Sequence, residues 1–186
     1  MITESYRQKD DKILVSESLK GNKIAFSEIV TRYQGMVART IKGMLGDTVF
    51  SEDIGQEVFI KLYYSLSDFR GEAKLSTYIQ KIAVNLTLNE IKRRKKFFSM
   101  FSQRGNNEMH EFDVAEHGTE ERGDANEIVG TALNLLDPKF RIVVIMRMIQ
   151  GYSTKETAKI LELPIGTVLS RLSRAQEQLK GILKKL

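Results

Sequence analysis

The residues whose types and spacing could do chemistry cluster near the C-terminus. Drawn as a helix at about 100° per residue, the segment after Pro164 places Thr167, Ser170, Arg171 and Arg174 on one face. The two short side chains allow a close backbone approach to another surface. The two guanidiniums can fork onto a guanine edge or a phosphate. Val168, Leu172, Ala175, Leu179, Ile182 and Leu186 fall within about 80° of one another and form the stripe to be buried. This pattern is suited to recognising DNA by contact and performs no reaction.

Two further constellations lie upstream. Phe69-Arg70-Gly71 opens a loop that continues through Lys74 into Ser76-Thr77, a possible helix cap, and then Tyr78. Asn85 follows, and then the basic run Ile91–Lys96, which contains Lys92, Arg93 and Arg94. Aromatic walls, an amide and a basic track are what single-stranded DNA requires. Bases stack, a base edge is read and phosphates are neutralised. The other constellation is Asp53, Gln56 and Glu57, which share a helix face by i, i+3, i+4 spacing. It is a hydrogen-bonding face with no nucleophile or base beside it.

Catalysis and metal binding have no comparable support. The chain contains no Cys, and its two histidines, His110 and His117, stand seven apart among acids without a metal-ligand pattern. No glycine-rich phosphate loop occurs. The chain reads as a non-enzyme that needs no cofactor and no metal.

The elements that must position these residues all show the helical period. Phe26, Ile29, Val30, Tyr33, Val37, Ile41 and Met44 form one stripe, stopped by Gly46. Ser51 and Asp53 open a second helix with Ile54, Val58, Leu62 and Leu66 inside. Ser76 or Thr77 caps a third, with Ile79, Ile82, Ala83 and Leu86 on one face, and a shorter helix precedes Gly21. In the second half, Ile128, Val129, Ala132, Leu133 and Leu136 form a helix. Asp137-Pro138 starts the next one, which carries Phe140, Val143, Val144, Arg147 and Met148. Ser153 and Glu156 form a capping box for another, which breaks at Glu162–Pro164 before the last long helix. Short helix, break and long helix make a helix-turn-helix, with Ala158 small where the two cross. No segment alternates as a strand does.

Charge divides the chain. Its formal net charge is +5. Residues 1–96 and 128–186 are both basic, while 97–127 hold only Arg104 and Arg122 against eight acids. Two basic blocks suggest a polyanion partner. The expected organisation is therefore all-α: an N-terminal helical bundle over 1–96, a flexible acidic linker over 97–127 and a C-terminal four-helix domain over 128–186. The apolar run Phe97–Phe101 is expected to pack back on the first domain as a cap, with partner docking as its other reading. The longest apolar run, Ile142–Met146, is far below the roughly 18 residues of a membrane span. The N-terminus has no apolar signal segment. A cytoplasmic protein is expected.

SEDIGQEVFIKLY, FRGEAKLSTYIQKIAVN with its basic tail, and LPIGTVLSRLSRA, in this order, resemble a bacterial RNA polymerase sigma factor of the two-domain extracytoplasmic-function (ECF) group. The resemblance covers roughly residues 22–96 and 128–184. It implies a transcription initiation factor that binds core RNA polymerase, directs it to promoters through −35 and −10 elements and assists melting. It assigns Asp53, Gln56 and Glu57 to the polymerase clamp. Phe69, Arg70, Lys74, Ser76, Thr77, Tyr78 and Asn85 are assigned to capture of a −10 base, and Lys92, Arg93 and Arg94 to its backbone. Thr167, Ser170, Arg171 and Arg174 are assigned to the −35 element. An anti-sigma factor is implied as a further partner. Tyr78 stands where many relatives carry Trp, Leu169 where many carry a basic residue, and Ser173 where an aromatic is frequent. The last two bear on which −35 sequence is read. The competing reading is a free-standing helix-turn-helix regulator that binds operator DNA as a dimer.

Overall fold

The computed structural model describes residues 4–46, 48–102 and 124–185. Every regular element among these residues is helical. The N-terminal half comprises α1 (Glu4–Arg7), α2 (Asp11–Leu19), α3 (Lys23–Leu45), α4 (Val49–Ser65) and α5 (Leu75–Ser102). A short 3-10 turn, Leu66–Asp68, leads out of α4. The C-terminal half comprises α6 (Asp124–Asn134), α7 (Pro138–Val144), α8 (Thr154–Leu161) and α9 (Ile165–Leu183). The acidic segment 103–123, with His110 and His117, lies outside the described residues, as does Leu186.

Local chemistry sets the helix ends. Asn22 Oδ1 accepts from the backbone N–H of Ile24 and Ala25 at 3.0 and 3.3 Å and starts α3. Gly46, at φ +79°, ends it in a backbone region that side chains disfavour. The start of α4 differs from the expectation at Ser51. The helix begins two residues earlier, and Ser51 acts backward from its first turn: its Oγ donates to Gly46 O at 2.8 Å and accepts from Thr48 N–H at 3.4 Å. Likewise α5 begins at Leu75, with Ser76 and Thr77 already inside its first turn. The carbonyl of Lys74 accepts from Thr77 and Tyr78, and Thr77 is only 7% exposed.

The helical stripes assemble one core in the N-terminal half. Ile29, Val37 and Ile41 of α3 meet Ile54, Val58 and Leu62 of α4, Leu66, and Ile79, Ile82, Ala83 and Leu86 of α5. Burying each large aliphatic side chain contributes about 1.5–3 kcal/mol before ordering costs. In the C-terminal half Leu133, Leu136, Phe140, Val144 and Ala175 pack together, with Leu172, Leu179 and Ile182 against them. Asp137 caps α7 by accepting from Lys139 N–H at 2.9 Å, with Pro138 as the first helical residue. The end of this helix widens into a π-helical turn, Ile145–Ile149, closed by Gln150 N–H to Ile145 O at 2.9 Å.

A third cluster joins the halves. Met44 of α3 and Val84 of α5 are buried against Ile142, Val143, Ile145, Met146, Ala158, Ile160 and Val168, flanked by Leu88 and Ile91. The Arg141 guanidinium is buried here. It donates to Met44 O at 2.6 Å, to Leu136 O at 3.0 Å and to both oxygens of Asn134. Burial lowers its pKa to about 10, so it remains charged at neutral pH.

The apolar run Phe97–Phe101 continues α5 as helix, and the side chains of Phe98 and Phe101 lie outside the described residues. The helix continues through Ser102 with no glycine or proline to turn it, and Phe97 and Met100 remain 59% and 61% exposed.

Candidate nucleic-acid interface

The helix-turn-helix is built as its caps require. Ser153 Oγ accepts from Glu156 N–H at 3.1 Å, and the Glu156 carboxylate accepts from Ser153 N–H at 2.9 Å. The backbone bond from Ser153 holds the Glu156 carboxyl below the usual range. α8 ends at Glu162, which takes the left-handed conformation at φ +54°, and Leu163 N–H returns to Ala158 O at 3.0 Å. Pro164 O then accepts from Thr167 and Val168 at 2.9 and 3.1 Å and starts α9. Val168 and Ala175 face inward and are fully buried. Ser170 and Arg174 are exposed, and Thr167 and Arg171 are half-buried beside them. Ser170 Oγ donates to Thr167 O at 3.1 Å, so that hydroxyl is turned partly onto its own helix. Among the described residues, neither Arg171 nor Arg174 has a carboxylate within ion-pair distance.

The α5 face is arranged differently. Phe69 and Tyr78 are both half-buried, with ring centroids 5.4 Å apart at 50°. Tyr78 Oη donates to Ser65 O at 3.0 Å, which fixes the ring against the end of α4. Gly71, at φ +73°, turns the loop between them, and Arg70 and Lys74 project into solvent. Tyr78, Asn85 and Lys92 recur at intervals of seven along α5 and therefore form one stripe. Asn85 and Lys92 are exposed, Ser76 is half-buried, and Thr77 points into the protein. The aromatic pair, the amide and the lysine thus share one side of the domain, and Thr77 does not join them.

The basic tail is not a row of bare cations. Arg93 makes a two-pronged pair with Glu90, Nε to Oε2 at 2.7 Å and Nη2 to Oε1 at 2.9 Å. Arg94 Nε reaches the same carboxylate at 2.9 Å, and its guanidinium lies 4.2 Å from the Phe50 ring centroid. The hydrogen bond from Arg93 is the main cause of a lowered Glu90 pKa. Sequence reading missed Glu90 and Phe50. Glu90 at i−3 and i−4 from two arginines was the available signal.

Asp53, Gln56 and Glu57 are all exposed on one face of α4, opposite the buried Ile54, Val58 and Leu62. Ion pairs also cross between the halves: Lys81–Glu162 at 2.9 Å and Lys74–Glu156 at 3.9 Å. No group of three or more His, Asp or Glu side chains among the described residues is placed to hold a metal ion.

One helical chain thus carries exposed cations on α9 and along α5 and an exposed acidic face on α4. The comparisons with known proteins give the family. The Sigma-70 region 2 family model matches residues 29–97, and the Sigma-70 region 4 model matches residues 126–179. The chain is 32% identical to the ECF RNA polymerase sigma factor SigW of Bacillus subtilis, over 92% of this chain and 96% of that one. It is 32% identical to the ECF RNA polymerase sigma-E factor of Haemophilus influenzae, over 96% and 98%. In fold it is similar to CnrH, solved in complex with the cytosolic domain of CnrY. The TM-score is 0.69 at 22% identity, over 94% of this chain and 97% of that one. It is also similar to the sigma factor RpoE of Bartonella quintana, solved with the anti-sigma factor NepR. There the TM-score is 0.66 at 23% identity, over 86% and 96%.

The chain belongs to the ECF group of RNA polymerase sigma factors. It is a transcription initiation factor that binds core RNA polymerase and directs it to promoter DNA. The free-standing regulator is not favoured. No described helix is long and apolar enough to cross a membrane.

Proposed function

We propose the following division of labour for this sigma factor. The N-terminal domain, 1–96, holds core polymerase through Asp53, Gln56 and Glu57. It receives the single-stranded −10 element on the stripe Phe69, Arg70, Lys74, Tyr78 and Asn85, with Lys92, Arg93 and Arg94 on the phosphates. Ser76 and Thr77 act at the start of that stripe as first-turn residues of α5. The C-terminal domain, 128–186, lays α9 in the major groove of the −35 element, with Thr167, Ser170, Arg171 and Arg174 toward the bases and backbone. Residues 97–127 join the two. The protein works in the cytoplasm, and the polymerase carries out all the catalysis. An anti-sigma factor is a further partner in this reading, supported by RpoE having been solved with one.

One observation carries the proposal. The acidic α4 face is exposed and pairs with none of the cations proposed for DNA among the described residues, which supports one molecule holding polymerase and DNA together. A free-standing regulator would have no use for that third face. The test is transcription by purified core polymerase on a fragment library of the source genome, with and without the protein. The expected result is a set of protein-dependent start sites that share −35 and −10 elements. No new starts, together with tight sequence-specific binding by the protein alone, would refute it.

A further inference from the structure

The outward arc of α9 is not uniform. At about 100° per residue it begins with Ile165 and Leu169 on one rim. It crosses Gly166, Ser170 and Ser173, and ends with Arg171 and Arg174 on the other rim. The second rim is basic and the middle is low. The first rim is apolar, and neither of its residues is among the side chains assigned to DNA above.

Ile165 and Leu169 are 50% and 52% exposed. They pack against none of the buried clusters, neither the two domain cores nor the seam where the halves meet. The middle of the arc does not cover them. A Cβ at Gly166 would meet no other part of the chain, and the Ser170 hydroxyl is turned onto Thr167 O. The fold therefore requires neither the bare glycine nor the exposed leucine. One exposed apolar side chain is ordinary on a protein surface. Here two share a rim, opposite arginines that pair with no carboxylate among the described residues. Such a face suits a partner that is anionic along one side and apolar at discrete points along the other.

Duplex DNA is that partner. Its major groove displays one apolar group, the C5-methyl of thymine, whereas guanine shows two acceptors, cytosine a donor amine and adenine one of each. A leucine neither donates nor accepts, so against those edges it would leave a polar group buried and unpaired. Against thymine it buries a methyl group. A helix with its side chains is about 10–12 Å across and the major groove about 12 Å wide, so opposite rims meet opposite walls. Ile165 and Leu169 lie about 6 Å apart along the axis and form one short ridge.

We propose that Leu169 is a specificity residue, packing on the C5-methyl of a thymine in the −35 element, with Ile165 beside it to exclude water. The proposal rests on the assignment of α9 to that element and adds which base chemistry the helix selects.

Deoxyuridine tests it, because it pairs as thymine does and lacks only the methyl group. The promoter fragments are those with protein-dependent start sites, and each thymine of the −35 element is replaced in turn. Holoenzyme containing the wild-type chain should lose affinity about fourfold at one such position, the weight of one buried methyl group. Holoenzyme containing Leu169→Ala should show no loss there, so leucine and methyl lose their effects together. Alanine is the better helix former and Leu169 lies outside the cores, so this variant keeps its fold. Cytosine at the same position should bind worse than deoxyuridine, and 5-methylcytosine should recover part of the difference. A −35 element without thymine, no loss at any thymine, or the same loss in Leu169→Ala as in the wild type would each overturn the proposal. So would a drop in Leu169→Ala that is equal on thymine and deoxyuridine duplexes. If core polymerase yields no start sites, the sigma-factor reading fails. The duplexes are then those retained by the full chain alone from a random pool, and the same replacement still decides the role of Leu169.

Discussion

The two faces proposed for DNA follow opposite electrostatic plans. On α9 neither arginine pairs with a carboxylate among the described residues. On α5 Arg93 and Arg94 share Glu90, and Lys74 faces Glu156. Phosphate arriving at α9 gains a contact outright. Phosphate arriving at α5 must exchange with a carboxylate already in place. The lesson concerns specificity as much as strength. A pre-paired guanidinium is held in one orientation and attracts random polyanion weakly, whereas an unpaired one supplies affinity that falls steeply with salt. On the proposed assignment α9 is the anchor on the −35 element, and the α5 face engages once that anchor has raised the local concentration of DNA.

The largest effect belongs to neither face and shows that both are separable from polymerase binding. Asp53→Lys should abolish assembly with core, read by size-exclusion chromatography, and leave binding to a −35 duplex unchanged. Loss of both would merge the faces into one surface. Next, Arg171→Ala and Arg174→Ala should each cost about 1–3 kcal/mol on a matched −35 duplex if they read base edges. Equal losses on random duplex would reduce them to phosphate contacts and sharpen the contrast with α5. Asn85→Ala should spare holoenzyme formation and slow promoter opening, followed by permanganate reactivity of unpaired thymines. Normal opening would remove the amide from the base-capture role.

The smallest effect tests the pairing itself. Glu90→Gln should strengthen binding to random single strands about two- to threefold at low salt, in line with the modest strength of exposed ion pairs. The sign of the pH dependence follows from the lowered Glu90 pKa. A depressed carboxyl contributes its pairing above its unfolded pKa and loses it as pH falls through the folded one. Single-strand affinity should therefore rise on acidification more steeply in the wild type than in Glu90→Gln. Parallel curves would show that Glu90 does not restrain the arginines.

Much of this organisation was legible from sequence. The stripes of α3, α4 and α9 became buried faces because each keeps the 3.6 period over several turns. The Ser153–Glu156 box and Asp137-Pro138 marked helix starts because cap chemistry is local. The errors arose where one residue type serves two ends. Ser51 suits both the first and fourth positions of a capping box, and it serves at the fourth. Ser76 and Thr77 follow a lysine whose carbonyl, not its side chain, opens α5. The Phe97–Phe101 run extends α5 because nothing in its sequence turns the helix. What sequence could not supply was the seam. Thr40, Gln80, Arg141 and Gln150 are unremarkable where they stand, and only the fold brings them together across gaps of 40 to 110 positions.

The π-helical turn at Ile145–Ile149 has a consequence for chain length. Its wide bond from Gln150 to Ile145 accommodates one more residue than an α-turn would. The extra residue is taken up inside the turn, so the helix before it and the helix-turn-helix after it keep their phase whether or not that residue is present. Removing the exposed Met148 should therefore restore regular winding and leave the following elements in place, whereas removing Ile145 or Met146 would take a fully buried side chain out of the core.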